Sequence, residues 1–279
     1  MGCWHVKINA LPASYGTVVK TGLIDPHTHT AFLSWKDLTY LAEAGYEAVV
    51  TLAYTPYVPS HPASLEDHFT HLEAEASRLK AVGLRAVIGV GLHPRCIKPG
   101  HASAQLEVVR RWLPKAHVLG EVGIENPTSN LEAEALRTQL MMAKEAGLTA
   151  VIHTPRNRKR EALKAIINAV RESGIKPENV VIDHLTPEPA LLDEVIKLGA
   201  WAGVTIQPGK ASVQDLEYLI EAVPEALEHT LINSDAGRDP SNPLAAAEAY
   251  EALVRKGYVT EAYRLASINP KEAVKALSE

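Results

Sequence analysis

The chain has few cysteines, few aromatic side chains and no long apolar run. Its two cysteines, Cys3 and Cys96, cannot build a disulfide framework and are not spaced as a zinc knuckle. No apolar stretch reaches the length of about 18 residues that a membrane-spanning helix needs. The first residues also lack the charged head and apolar segment of a signal peptide. We therefore expect a cytoplasmic protein that does not associate with membranes.

Charge and composition limit the classes of partner. The formal net charge of −5 argues against non-specific wrapping of nucleic acid, although it leaves room for a locally basic cleft. With 46% hydrophobic and 22% charged residues, the chain can bury a substantial core. Nothing in the pattern leads us to infer an obligate protein partner.

Short β-rich runs alternate with helix-like stretches along most of the chain. The stretch 64–82 opens with Ser64 and Asp67 at capping-box spacing, and the stretch 131–147 stops at Gly147, a frequent helix end. The runs that we predict as strands are 22–29, 47–54, 85–93, 117–123, 148–153, 179–185, 200–206 and 230–236.

This alternation predicts a parallel sheet covered by helices. Eight βα units over roughly 250 residues match the size of a TIM barrel. A doubly wound open sheet is the main competitor, but no glycine fingerprint follows the first strand. We predict an α/β fold, a TIM (β/α)8 barrel over residues 22–279 with a short N-terminal extension, 1–21, that is too short for a second domain.

Histidines and acids recur at the C-terminal ends of the predicted strands, where barrel enzymes build their active sites. A single histidine at a strand end is usually an ordinary hydrogen-bonded residue. A converging set instead predicts a metal, because buried unpaired charges are costly. No cysteine joins the set, which excludes a cysteine-rich structural zinc site. The residues are His27, His29, His93, Glu121, His153, His184 and Asp235.

Six of these groups are enough for two divalent ions. Paired ions roughly 3.5–4 Å apart clamp the attacking and leaving oxygens of a hydrolytic displacement. Histidine and carboxylate ligands suit Zn²⁺, Mn²⁺ and, with fewer imidazoles, Mg²⁺. We assign one ion to His27, His29 and Asp235, the other to His153 and His184, and Glu121 to both.

Three carboxylates receive specific roles in this prediction. Asp235 would orient the attacking water between the ions and take its proton, so Asp235 and the bridging Glu121 are the predicted catalytic residues. Asp25 shares a strand face with His27 and His29 and fits a group that orients an imidazole. A buried acid bonded to the backbone is the alternative for Asp25.

Seven motifs occur in the order seen in TatD-related metal-dependent hydrolases, which belong to the amidohydrolase-like barrel superfamily. They are DPHTHT (25–30), GLHP (91–94), LGEVGIE (119–125), VIHTPR (151–156), IDHL (182–185), SDAG (234–237) and INPKEA (268–273). The segment GAWAGVTIQPGK, 199–210, resembles the archaeal branch of that family. The resemblance implies a binuclear divalent-metal hydrolase, with nuclease activity known for the better-studied members. It implies the same six ligands and a substrate contact from His93.

Basic side chains on the rim suggest an anionic substrate. Arg156 lies in RNRKR, 156–160, after the fifth strand, and Arg is well shaped to bind phosphate. Further candidates are Arg95, Lys210 and Arg238, with Arg158 and Lys159 in the same loop. We therefore predict nucleic acid or a small phosphodiester as substrate, although a carboxylate-bearing small molecule also fits.

Aromatic side chains offer a second kind of contact. Tyr54, Tyr57 and Trp201 could stack on bases, while a place in the core or on the rim is the commoner role of such residues.

Three other functions stay open at this point. An amidohydrolase or lactonase would act on a carbonyl substrate, but many such barrels bridge their metals with a modified lysine on strand four, where this chain has Glu121. A PHP-like phosphoesterase shares the pattern of residues 25–30 but needs further His and Glu ligands. A non-catalytic binding barrel would be expected to have lost some of the metal ligands, whereas this sequence has the full set. We predict a TatD-type nuclease or phosphodiesterase, in which metal-bound hydroxide attacks the scissile bond.

Overall fold

Eight parallel strands form one sheet in the order β1 to β8, which confirms the predicted TIM barrel. The computed structural model describes residues 22–237 and 241–278, so the predicted extension 1–21 lies outside the described residues. The strands are β1 Leu23–Thr28, β2 Tyr46–Thr51, β3 Arg85–Val90, β4 Val118–Gly123, β5 Thr149–His153, β6 Val180–Ile182, β7 Trp201–Thr205 and β8 Thr230–Asn233.

Helices follow the strands and cover the outside of the barrel. Within the described ranges, no helix combines the length and apolar character needed to cross a membrane. The helices are α1 Trp35–Glu43, α2 Pro62–Ala81, α3 Ala102–Trp112, α4 Asn130–Ala146, α5 Lys159–Ser173, α6 Pro189–Leu198, α7 Val213–Ala222, α8 Ala245–Arg255, α9 Val259–Tyr263 and α10 Asn269–Ala273.

Two predicted helix ends have different outcomes. Gly147 ends α4 with φ 70°, as predicted, because glycine enters the left-handed region without steric penalty. The predicted start at Ser64 is wrong. Helix α2 begins at Pro62, and the His61 side chain accepts a hydrogen bond from the backbone N–H of Ala63. Proline at the first helical position has a φ already suited to the helix, so the helix starts two residues earlier.

The first and last strands meet at the end of the barrel where the predicted ligands lie. The backbone N–H of His29 donates to the carbonyl of Ala236 at 2.6 Å, and that of Asp235 donates to the carbonyl of His27 at 3.1 Å. These bonds hold the β1 and β8 ends together. His27, His29 and Asp235 are therefore neighbours because the barrel closes there.

Apolar side chains fill the barrel and close its opposite end. Trp201 packs at that end, and its Nε1 donates to the carbonyl of Glu178 at 3.1 Å. Trp201 therefore has the commoner role, a place in the core, because the start of a strand lies away from the catalytic face. The interior cluster comprises Ile24, Ala48, Val50, Leu52, Val87, Val118, Val151, Val181 and Leu231, with Ala273, Val274 and Leu277 from the C-terminal segment.

Strands β6 and β8 are shorter than predicted at their C-terminal ends. Strand β6 stops at Ile182 and β8 at Asn233, so His184 and Asp235 lie in the loops that follow. Both have positive φ, 58° for His184 and 49° for Asp235. Left-handed backbone at a non-glycine residue is uncommon and is concentrated at functional sites. Strand alternation therefore does not set the direction of these two side chains.

A substitution at Gly203 in β7 tests how tightly the barrel is packed beneath the site. A methyl group on Gly203 would overlap the fully buried carboxylate of Asp183. We expect Gly203→Ala to lower the free energy of unfolding by about 3 kcal/mol, at the upper end of overpacking costs. Gly147→Ala is the control: its Cβ meets nothing within 4 Å, so only the left-handed backbone penalty of about 1 kcal/mol applies. Urea unfolding that gave the two variants equal losses would contradict this packing.

Candidate metal centre

The six predicted ligands are all buried and converge at the C-terminal end of the barrel. His27 is fully buried, and the most exposed member, His153, retains 7% of its surface. Their donor atoms form groups in which all atoms lie within 4.8 Å of one another. These groups are His27 with His29 and Asp235, His27 with Glu121 and His184, and Glu121 and His153 with His93.

Glu121 lies between two sets of imidazoles, and each of its oxygens faces one set. Its Oε2 lies 3.3 Å from His29 Nε2 and 3.5 Å from His27 Nε2. Its Oε1 lies 2.8 Å from His153 Nδ1 and 3.1 Å from His184 Nε2, with His93 Nε2 at 3.6 Å. Burial would raise the pKa of Glu121, but the surrounding imidazoles hold it well below its usual value. The carboxylate is therefore ionised and available to two sites.

His27 and His29 are both hydrogen-bonded through Nδ1, and their Nε2 atoms face one position. The Nδ1 of His29 lies 3.0 Å from the carbonyl of Leu52, and the Nδ1 of His27 lies 2.5 Å from Asp183 Oδ2. Both contacts place a proton on Nδ1, so Nε2 is the atom of each ring that would bind a metal ion, and these nitrogens lie 3.4 Å apart.

Asp235 presents a buried oxygen to the same position. Its Oδ1 lies 3.3 Å from His29 Nε2 and has no hydrogen-bond partner among the described residues. A buried carboxylate oxygen without a hydrogen bond is unfavourable unless a cation compensates its charge. The donor set therefore fits a divalent metal ion.

Asp183 is a residue of the site that the prediction missed. Its Oδ2 contacts His27 Nδ1, while its Oδ1 accepts from the backbone N–H of His184 at 2.6 Å and from Asn233 Nδ2 at 2.8 Å. Carboxylates that receive the second N–H of a ligating histidine fix the orientation of its ring. The signal was present in IDHL, where Asp183 precedes His184 after a buried strand.

Asp25 makes different contacts from those predicted for it. It accepts from the Ser234 hydroxyl at 2.5 Å and from the backbone N–H groups of His27, at 3.2 Å, and Ser234, at 3.3 Å. Burial raises the pKa of Asp25 to about 7. The structure thus places Asp25 as a buried acid that joins β1 to the end of β8, and Asp183 contacts the imidazole instead.

Lys210 reaches the centre from the loop after β7. Its Nζ donates to Asp235 Oδ2 at 2.6 Å and lies 3.2 Å from His184 Nδ1. His184 Nδ1 also contacts the hydroxyl of Thr205 at 2.7 Å. Burial, and then the Lys210 ammonium, lower the pKa of His184 to about 3, which keeps its imidazole neutral.

Glu125 is a second residue of the site that the prediction missed. It joins His153 to the rim through its Oε2, 2.9 Å from His153 Nε2, while its Oε1 accepts from Arg95 at 2.8 Å. Burial opposes ionisation, but the hydrogen bonds with His153 and Arg95 lower the pKa of Glu125 to about 2. His93 Nδ1 accepts from the backbone N–H of Arg95 at 3.1 Å, and burial lowers the pKa of His93 to about 4.

A cavity of about 580 Å³ opens above the cluster, and its wall is rich in cations. The Lys159 ammonium already donates hydrogen bonds to the carbonyls of Pro155 and His184, which leaves it fewer donors for a ligand. Predicted Arg238 lies outside the described residues. The basic side chains that line the cavity are Arg95, Arg156, Arg158, Lys159 and Lys210.

Two of the three aromatic residues considered for base stacking lie near the centre. The Tyr54 ring lies 5.4 Å from that of His29 and 5.1 Å from that of His93, measured between centroids. Tyr57, on the same loop, is exposed. Both tyrosines therefore belong to the catalytic end of the barrel, whereas Trp201 does not.

Comparison with known proteins assigns this arrangement to a family. The model of the TatD related DNase family matches residues 24–277. The chain belongs to this family. It is 31% identical over 218 residues to an uncharacterized metal-dependent hydrolase of Methanocaldococcus jannaschii. This alignment covers 77% of this chain and 84% of that protein. Membership and the clustered donors make it a TatD-type metal-dependent hydrolase with side chains that could bind the metal.

Solved structures agree with the fold. The crystal structure of a TatD-like protein from Archaeoglobus fulgidus matches with a TM-score of 0.75 and 31% identity, over 92% of this chain and 100% of that one. The phosphotriesterase homology protein of Escherichia coli, complexed with phosphate, has a TM-score of 0.69 at 14% identity over 91% of this chain and 98% of its own. This second likeness concerns the fold alone.

Two buried aspartates of this TatD-family protein, Asp183 and Asp25, should affect metal affinity differently. Asp183→Asn removes the carboxylate that holds the His27 ring and should weaken metal binding about 10- to 100-fold. Asp25→Asn is the matched control, because Asp25 bonds Ser234 and backbone groups and not a ligand side chain. Burial already disfavours the ionised form of Asp25, so a neutral amide should be a mild replacement. Calorimetric titration with Mn²⁺ measures both. Equal losses in the two variants would contradict the assignment of Asp183.

Proposed function

We propose that the chain is a two-metal phosphodiesterase, most simply a TatD-type nuclease. The observation that carries the proposal is the division of the imidazoles by Glu121, whose Oε2 faces His27 and His29 and whose Oε1 faces His153 and His184. A carboxylate with one oxygen toward each of two donor sets suits a bridging ligand. The family's DNase description and the hydrolase description of the archaeal relative support the same chemistry.

The two donor sets would hold the ions as follows. His27, His29 and Asp235 would hold one, His153 and His184 the other, and Glu121 would contact both. When bound, divalent ions polarise a phosphoryl oxygen and lower the pKa of water, and Zn²⁺, Mn²⁺ and Mg²⁺ are the candidates.

The protein's own groups would position the water and the proton. Lys210 donates to Asp235 Oδ2, which leaves Oδ1 directed toward the metal position. Asp235 would thus contact both the ion and the attacking water, and its carboxylate would accept the proton of that water. His93, at the cavity wall, would contact the substrate, as would Arg95 and Arg156.

The cation-rich wall supports an anionic substrate. Arg156, Arg158 and Lys210 line one cavity with the acidic and imidazole cluster at its floor. Arginine binds phosphate oxygens through its fork of N–H groups. Nucleic acid or a small phosphodiester would thus place a phosphate between the cluster and this wall.

A cytoplasmic location and the lack of an obligate protein partner stay predictions.

An end-labelled single-stranded oligonucleotide tests the proposal. Purified protein should shorten it in the presence of Mg²⁺, Mn²⁺ or Zn²⁺, and chelation should stop the reaction. Asp235→Asn keeps the shape of the side chain but removes its basic oxygen, so we expect a loss of at least about 100-fold in rate, the usual contribution of general acid–base catalysis. Denaturing gel electrophoresis gives the product lengths.

The outcome separates two hydrolase classes. An oligonucleotide that stays intact while the protein retains its metal would contradict the nuclease proposal. Lactones, amides and small phosphodiesters would then be the substrates to assay. Activity that persists in Asp235→Asn would contradict the assignment of Asp235 instead.

A further inference from the structure

The loop after β7 turns back into the cavity through Gln207, Pro208, Gly209 and Lys210. The backbone N–H of Lys210 donates to the carbonyl of Gln207 at 2.9 Å, and Gly209 has φ 76°. Proline followed by a glycine with positive φ is the preferred centre of a type II turn. Gln207 and Lys210 are the two ends of the turn, and both line the cavity.

Gln207 has a buried donor with nothing to bind. Only 5% of its surface is exposed, and its Nε2 has no hydrogen-bond partner among residues 22–237 and 241–278. Buried amide groups are nearly always hydrogen-bonded, and leaving one unpaired destabilises the fold. An unpaired donor in a cavity wall indicates that a ligand supplies the acceptor.

The neighbours of Gln207 define the charge of that ligand. Arg156 Nη1 lies 3.6 Å from the position that a Cβ on Gly209 would take, so its guanidinium rests against the same turn. The nearby carboxylate of Asp235 is already paired with Lys210 Nζ. The neutral amide donor of Gln207 and the guanidinium of Arg156 therefore face the cavity. An oxyanion there would accept hydrogen bonds from both.

We propose that Gln207 and Arg156 form a subsite for a non-bridging oxygen of a substrate phosphate. This subsite favours phosphate esters over lactones and uncharged esters, which bring no anionic oxygen to this wall. The inference rests on the proposed phosphodiesterase function. Gln207 contributes a hydrogen bond without adding a positive charge beside His184, whose neutral imidazole is needed as a ligand.

Phosphate binding to the metal-loaded protein tests the subsite. Inorganic phosphate is the probe, titrated by calorimetry into wild type, Gln207→Leu and Gln207→Glu. Loss of a hydrogen bond to a charged group should weaken binding about tenfold in Gln207→Leu. Gln207→Glu should weaken it further, because a carboxylate repels the anion, whereas a purely steric role would affect both variants alike. Gln214→Leu, at an exposed position of α7, is the matched control and should bind as wild type does.

Kinetics with the oligonucleotide substrate give a second readout. Gln207→Leu should raise KM by a similar factor and leave kcat nearly unchanged, with the metal content of wild type. If Gln207→Leu does not fold, Gln207→Asn, which withdraws the amide by one methylene, should show the same direction of change in both assays.

The outcomes distinguish this inference from the function on which it rests. Wild-type phosphate affinity and KM in Gln207→Leu, together with phosphodiester hydrolysis by the wild type, would overturn the subsite alone. Phosphate binding that depends on Gln207 in a protein that hydrolyses no phosphodiester would support an anion subsite and overturn the proposed function.

Discussion

The structure depends on one buried carboxylate and the imidazoles around it. Glu121 is 2% exposed, and five histidines approach its oxygens within 3.6 Å. Such a cluster is costly to bury because charges lose their hydration, and only mutual pairing or a cation offsets that loss. The Oδ1 of Asp235, which has no hydrogen-bond partner among the described residues, shows that pairing within this cluster is incomplete. The remaining donors fit divalent cations.

The barrel brings these groups together by backbone geometry as well as by strand order. Closure between β1 and β8 sets Asp235 beside His27, while left-handed backbone at His184 and Asp235 turns both side chains from loops into the centre. Gly203 leaves room for Asp183, which holds the ring of His27. The packing beneath the site and the chemistry at its floor therefore depend on each other.

The strand runs and their spacing were sufficient to predict the barrel, because a parallel sheet covered by helices requires that pattern. The convergence of the histidines and acids followed from strand order, since the C-terminal ends of barrel strands share one face. Side-chain direction beyond the strand ends could not be predicted, because the loops leave the extended conformation. Glu125 and Gln207 were missed for this reason. Asp183 was missed although it stands beside His184 in IDHL, and Asp25 was given the contact that Asp183 makes.

Anomalous X-ray diffraction from crystals loaded with Mn²⁺ or Zn²⁺ tests the central claim most directly. We expect two peaks in each chain: one among His27, His29 and Asp235, and one beside His153 and His184. Glu121 should contact both. A single peak, or peaks away from Glu121, would contradict a carboxylate-bridged pair of metal ions.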